Sequence, residues 1–189
     1  MRPETVREKL ALAAEHQLIV RLERGEIEEG HFDGYVSRLG ERFFALAVID
    51  DNVHINGFAC LRYEDVTRII LPPPNEHFLV KALNLRGEYP PTCPPIDLTS
   101  ALSLIRSACD HIHIVSVHPE IDDPETCWIG RLRSSSDELV VLDLVSPGGE
   151  WEVDPFQVEL KHVTRVDFGG EYENALMLVA GPRPDRLGS

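Results

Sequence analysis

The chain has 189 residues, of which 43% are hydrophobic and 26% charged, the balance of a folded globular protein rather than of a disordered, collagen-like or coiled-coil chain. Thirty-two acids against eighteen bases give a formal net charge of −14, and no cluster of Lys or Arg interrupts the acidic background. A field of that sign disfavours duplexes and anionic membranes, and no apolar run reaches the roughly 20 residues that a bilayer demands.

The first predicted element is a helix after Pro3, with Glu4 and Glu8 near its positive end and Val6, Leu10 and Ala13/Ala14 on one face. The period then changes. Leu18 to Leu22 and Tyr35 to Arg38 alternate as strands, and Phe43 to Ile49 is a continuous apolar run of the kind found in a central strand. His54 to Tyr63 contains Gly57 and predicts a bent or bulged strand, and Val66 to Ile70 predicts a short final one. Asn75 to Gly87 reads as a closing helix with an Asn start and a Gly stop.

The same series then recurs. Leu61-x-Tyr63-x-x-Val66-Thr67-Arg68-Ile69 is matched 97 residues later by Val158-x-Leu160-x-x-Val163-Thr164-Arg165-Val166. Phe32-Asp33-Gly34 corresponds to Trp128-Ile129-Gly130, and Phe43 to Leu46 corresponds to Leu139 to Leu142, at an offset of 96. Leu18 to Leu22 corresponds to His113 to Val117 at 95. These ordered matches at nearly constant spacing predict a duplicated unit. The second copy is expected to start with a helix capped by Asp97, to place strands near 112–118, 128–133, 138–145, 151–160 and 163–167, and to end with 170–181. That last segment reads as a helix, with a strand over Ala175 to Ala180 as the alternative. The predicted organisation is therefore a first repeat over 1–88, a proline-rich linker over 89–95, a second repeat over 96–181 and a tail over 182–189. The first part to Pro95 holds 11 bases and 15 acids, the second 7 and 17, so the acidity is concentrated in the second repeat.

The pattern of Ile19 to Leu22, Phe32-x-Gly34-x-Val36, the apolar third strand and Tyr63-Glu64-Asp65-Val66-Thr67-Arg68-Ile69 resembles the Sm-like (LSm-type) family, within the wider class of SH3-like small barrels. The resemblance covers nearly the whole chain twice, and it is similar to tandem-barrel proteins of bacteria that carry no assigned activity. It implies a mainly β fold of two tandem barrels, each with an N-terminal helix, five bent antiparallel strands and a short closing helix. RNA-binding members present an Asp/Asn-bearing loop between strands two and three and an Arg-Gly-type turn between strands four and five. This chain has Arg38-Leu39-Gly40-Glu41-Arg42 and Tyr63-Glu64-Asp65 there, with Arg133 to Asp137 and Leu160-Lys161-His162 opposite. The RNA-reading set is absent from both copies.

Other polar groupings are weighed singly. His111, His113 and His118 with Glu120, Asp122 and Asp123 form the densest set of ligand-type residues. If His111 and His113 lie on a strand they share a face, which opens a metal-dependent enzyme as an alternative reading, against an acidic surface turn. The repeated Thr67-Arg68 and Thr164-Arg165 read as a duplicated structural position, and Phe32 and Trp128 read as core or contact residues. Ser134-Ser135-Ser136 and Ser146-Pro147-Gly148-Gly149 read as turns, because neither has the flanking residues of a nucleophile elbow or phosphate loop. Cys60, Cys93, Cys109 and Cys127 form no C-x-x-C pair and predict four reduced thiols, with Cys60 and Cys109 in the core. The expected protein is a non-catalytic, cytoplasmic one with no catalytic, cofactor or metal residues. It is expected to act through an unknown protein partner or as a homo-oligomer, with no membrane and no cofactor. RNA association is the first alternative and a metal-dependent enzyme at His111/His113 the second.

Overall fold

The computed structural model describes residues 1–121 and 126–184. The chain divides into two compact units, Met1–Cys93 and Pro94–Ser189. It is mainly β, with four α-helices among the described residues.

In the first unit, helix α1 (Pro3–His16) opens on Pro3, buries Val6, Leu10 and Ala13, and ends where Gln17 turns left-handed at φ 51°. Strands β1 (Ile19–Glu23), β2 (Phe32–Leu39), β3 (Phe43–Ile49) and β4 (Ile55–Arg62) follow, then a 3-10 turn over Tyr63–Asp65 and a three-residue strand β5 (Arg68–Ile70). Helix α2 (Glu76–Arg86) stops at Gly87, whose φ of 73° suits a residue without a Cβ. All pairings are antiparallel, in the order β5-β1-β2-β3-β4.

Both faces of this sheet are covered, which explains the unbroken apolar run of β3. Leu46, Val20, Leu22 and Phe44 meet Val6 and Leu10 of α1 on one face. Ile19, Tyr35, Ala47 and Ile49 meet Leu79 and Leu83 of α2 on the other. Alternate residues of one strand thus serve two cores.

The second unit contains α3 (Ala101–His111), β6 (Val115–His118), β7 (Trp128–Ser135), β8 (Leu139–Leu144), β9 (Phe156–Glu159), a 3-10 turn at Leu160–His162, β10 (Arg165–Phe168) and α4 (Glu171–Ala180). Its order, β10-β6-β7-β8-β9, repeats that of the first unit. The registers repeat too. Val20 faces Gly34 as Val115 faces Gly130, and Gly34 faces Val48 as Gly130 faces Leu144. The β2–β3 ladder slips after Val36, and the β7–β8 ladder slips after Leu132. Both closing segments are helical, so 175–180 is not a strand.

Several expectations are corrected. The strands are not closed into barrels: among the described residues β4 does not pair with β5, nor β9 with β10. Closure is unnecessary in the first unit, because α1 and α2 already remove both faces of the sheet from water. Asp97 does not cap α3. Ser100 does, its Oγ accepting from the Ser103 amide at 3.0 Å, while Asp97 accepts from the Thr99 amide in the preceding turn. The first strand of this unit starts at Val115 rather than 112, since the Ile112 amide still donates to Ala108 O at the helix end. The strand expected over 151–160 is reduced to one bridge, Val145 to Trp151, and the four residues of β9. Pro155 stands between them without a donor to give. Cys60 and Cys93 are buried, Cys109 is half-buried and Cys127 exposed; burial pushes the Cys93 thiol up to about 11. Among the described residues no helix is long and apolar enough to cross a membrane.

In each unit the glycine of the second strand lies hard against the backbone of the third. A Cβ on Gly34 would sit 2.3 Å from the Ala47 carbonyl oxygen, and one on Gly130 would sit 2.1 Å from that of Asp143. Neither oxygen belongs to a flexible side chain. Gly34→Ala and Gly130→Ala should each cost at least about 3 kcal/mol in urea unfolding. Gly87→Ala, where a Cβ meets nothing within 4 Å, should cost only the backbone strain of about 1 kcal/mol. Equal losses at all three positions would contradict this account.

Candidate functional site

The repeated Thr-Arg step is where the two units can be compared atom by atom. In the first unit the Thr67 amide and hydroxyl both donate to Glu23 O, each at 2.9 Å, and Arg68 reaches the Glu23 carboxylate at 3.2 Å. In the second unit the Thr164 amide donates to His118 O at 3.1 Å, and the Thr164 hydroxyl lies 3.1 Å from the same oxygen. Thr therefore fastens the last strand to the end of the first in both units, and β5 and β10 are short enough to need that fastening.

The surroundings then diverge. Arg68 and Glu23 are partly exposed. Arg165, in the matching place, sits among buried groups. Its Nε lies 2.8 Å from both carboxylate oxygens of Asp167, and its Nη2 pairs with the same group. His118 Nε2 lies 3.2 Å from Asp167 Oδ2. Glu120 is 3% exposed, accepts from the Thr164 hydroxyl, and places Oε1 3.8 Å from Arg165 Nη1. Burial works to raise the Asp167 carboxyl, but the Arg165 charge and the hydrogen bonds from His118 and Arg165 outweigh it and draw the group down to about 2. Thr164 is fully buried, so its hydroxyl is closed to a substrate. The cluster is an internal latch at the end of β6, with the Asp167 carboxylate held between Arg165 and His118.

Two of the histidines predicted as candidate ligands lie elsewhere. His111 ends α3 and His113 lies in the bend after it, both exposed. They do not share a strand face, because His111 is helical. His118 and Glu120 join the latch, and Asp122 and Asp123 lie outside the described residues. Among the described residues no three His, Cys, Asp or Glu side chains come together to hold a metal ion.

Phe32 pairs with Leu22 and carries the Arg24 guanidinium 5.4 Å above its ring. Trp128 pairs with Val117 and stacks on Phe156, ring centroids 3.8 Å apart. In the loop expected to matter for RNA, the Gly40 carbonyl accepts from Arg7 at 2.7 Å and from the Tyr63 hydroxyl at 3.2 Å, with Arg7 stacked 4.2 Å over Tyr63. That loop is tied to α1. Ser146 exchanges backbone bonds with Gly149 and Glu150, so that segment is a turn; Ser134 and Ser135 instead end strand β7, and only Ser136, whose hydroxyl accepts from the Leu139 amide, belongs to the turn expected there.

Sequence reasoning missed the buried charges. Arg24 is fully buried, and Arg62, 6% exposed, grips Asp65 through two bonds of 2.6 and 2.7 Å. Burial raises the Asp65 carboxyl in spite of that grip. Nothing in a period-two pattern marks these residues, since an Arg at a strand end is ordinarily solvated.

The latch predicts an acid response. Because the folded-state value of Asp167 is depressed, its contribution of about 2 kcal/mol is present above the ordinary value of 3.8 and is lost as pH falls toward about 2. Asp167→Asn should remove that part of the acid dependence of the urea midpoint. Arg165→Ala, which leaves two buried carboxylates without their cation, should cost about 3 kcal/mol at neutral pH. An unchanged acid profile in Asp167→Asn would refute the role of the latch. In comparisons with known proteins, no family model, no curated protein and no solved structure matches this chain.

Proposed function

We propose that the chain is a non-catalytic, cytoplasmic protein of two tandem Sm-like repeats that works through contacts with protein partners, further copies of itself included. The observation that carries this reading is the state of the strand edges. Among the described residues β5 pairs only with β1, and β9 pairs only with β8. Each therefore offers one line of backbone donors and acceptors, and an edge of that kind is a template for another strand. The repeated strand order and register support the kinship with Sm-like repeats. So does the glycine at the matched position of the second strand in both units.

The charge distribution argues against nucleic acid as the partner. The second unit is the more acidic, and the Lys161 ammonium in its fourth-to-fifth-strand turn is paired with Glu159 at 2.6 Å. In the first unit the corresponding turn holds Glu64 and Asp65, already engaged by Arg62.

Sedimentation equilibrium of the intact chain, with a pull-down using it as bait, tests the proposal. A concentration-dependent assembly is expected. Gln157→Lys, which puts a charge on the exposed side of β9, should weaken the assembly by about tenfold without lowering the unfolding midpoint. A strictly monomeric chain that retains no protein partner would overturn the reading. Tight retention of single-stranded RNA at physiological salt would replace it with the nucleic-acid alternative.

A further inference from the structure

Two arginines meet one buried carboxylate in the more acidic unit, and a third stands opposite it in the ladder. Asp143 of β8 is 6% exposed. Arg131 is its ladder partner across β7 and β8, so the two side chains leave the sheet on the same face. Arg133 Nε and Arg183 Nη2 lie 2.8 and 3.0 Å from Asp143 Oδ1. One carboxylate balances one guanidinium, and the place keeps a positive surplus in a region that is otherwise strongly negative.

Arg131 and Arg183 also line a cleft of about 520 Å3, bounded by the last turns of α4. That volume lies within the range of about 300–1,000 Å3 typical of small-molecule sites. No Asp or Glu lines it among the described residues; the third titratable group on its wall is His113. The remaining wall is mostly apolar, with Trp151, Met177 and Leu178, and carries one further polar side chain, Asn174. The indole N–H of Trp151 donates to Gly181 O at 3.0 Å, which fixes the ring at the edge of the cleft. Arg183 Nε is buried and has no hydrogen-bond partner among the described residues, an unusual state for a charged donor.

We infer that this cleft is a binding site for a small organic carboxylate, its head held by Arg131 and Arg183 and its flat apolar body laid against Trp151, Met177 and Leu178. A guanidinium fork matches a carboxylate in geometry as well as charge. Asp143 already draws on Arg183 from below, so a singly charged head matches the remaining charge better than a dianion. The site is independent of the strand edges and of any partner that binds them.

The test is a titration of the intact chain with benzoate, followed by NMR at the Trp151 indole and the Gly181 amide. Benzyl alcohol serves as the neutral analogue and inorganic phosphate as the anion without an apolar body. Benzoate should give saturable shifts at both reporters, with benzyl alcohol and phosphate each weaker by about tenfold. Arg131→Gln, at an exposed side chain that leaves Arg133 and Arg183 on Asp143, should weaken benzoate by about tenfold and leave benzyl alcohol unchanged. Arg183→Lys keeps the charge next to Asp143 but removes the fork, and should weaken benzoate while the unfolding midpoint is held. The inference is overturned if benzoate gives no saturable shift, if either control binds as tightly, or if Arg131→Gln binds benzoate like the parent chain.

Discussion

The close approach of the second strand to the third in each unit is the constraint from which the rest of the architecture follows. At Gly34 and Gly130 the backbone lies so near the carbonyls of Ala47 and Asp143 that no side chain fits between them. That proximity accompanies the register slips a few residues further on, after Val36 and after Leu132. A slip of this kind bends and twists a strand, which lets a five-stranded sheet curve without any further device. Alternation along the third strand then shares the apolar run from Phe43 to Ile49 between the layers under α1 and α2.

Given that frame, the two units use the same backbone with different polar interiors. Thr67 and Thr164 make matching bonds to the end of the first strand, so the Thr is part of the scaffold. The partner of the neighbouring Arg is not. Where the first unit has Glu23, half in water, the second has His118 at the strand end with Asp167 and Glu120 close by. Two half-buried carboxylates, Asp65 and Asp167, move in opposite directions for one physical reason. Each loses hydration on burial, and only Asp167 gains enough from an adjacent guanidinium and an imidazole to remain strongly acidic.

The third polar assembly, around Asp143, differs from these in its stoichiometry. Arg62 meets both Glu64 and Asp65, and Arg165 meets both Glu120 and Asp167, so there one cation faces two carboxylates. At Asp143 one carboxylate faces the guanidiniums of Arg133 and Arg183, with Arg131 opposite it in the ladder. That surplus of cations beside a cleft is the feature on which the proposed carboxylate site rests.

The period of the apolar residues by itself determined the element types, and the self-match of the chain determined that the elements recur in the same order. Both are local or one-dimensional properties, and the strand order and ladder registers follow the matched positions. Gly34 and Gly130 were legible for the same reason, since an aromatic-x-Gly step repeated at one offset has a steric meaning. Where local patterns compete, tertiary contacts decided. Ser100 rather than Asp97 caps α3, and His111 became helical. Neither set of five strands closes, and in the first unit helices cover the sheet on both faces. The buried charges and the cleft were beyond the reach of sequence. Asp143 meets Arg183 across 40 positions, and Glu120 meets Thr164 across 44. Electrostatic partners so far apart along the chain are chosen only when folding brings them together and removes the water between them.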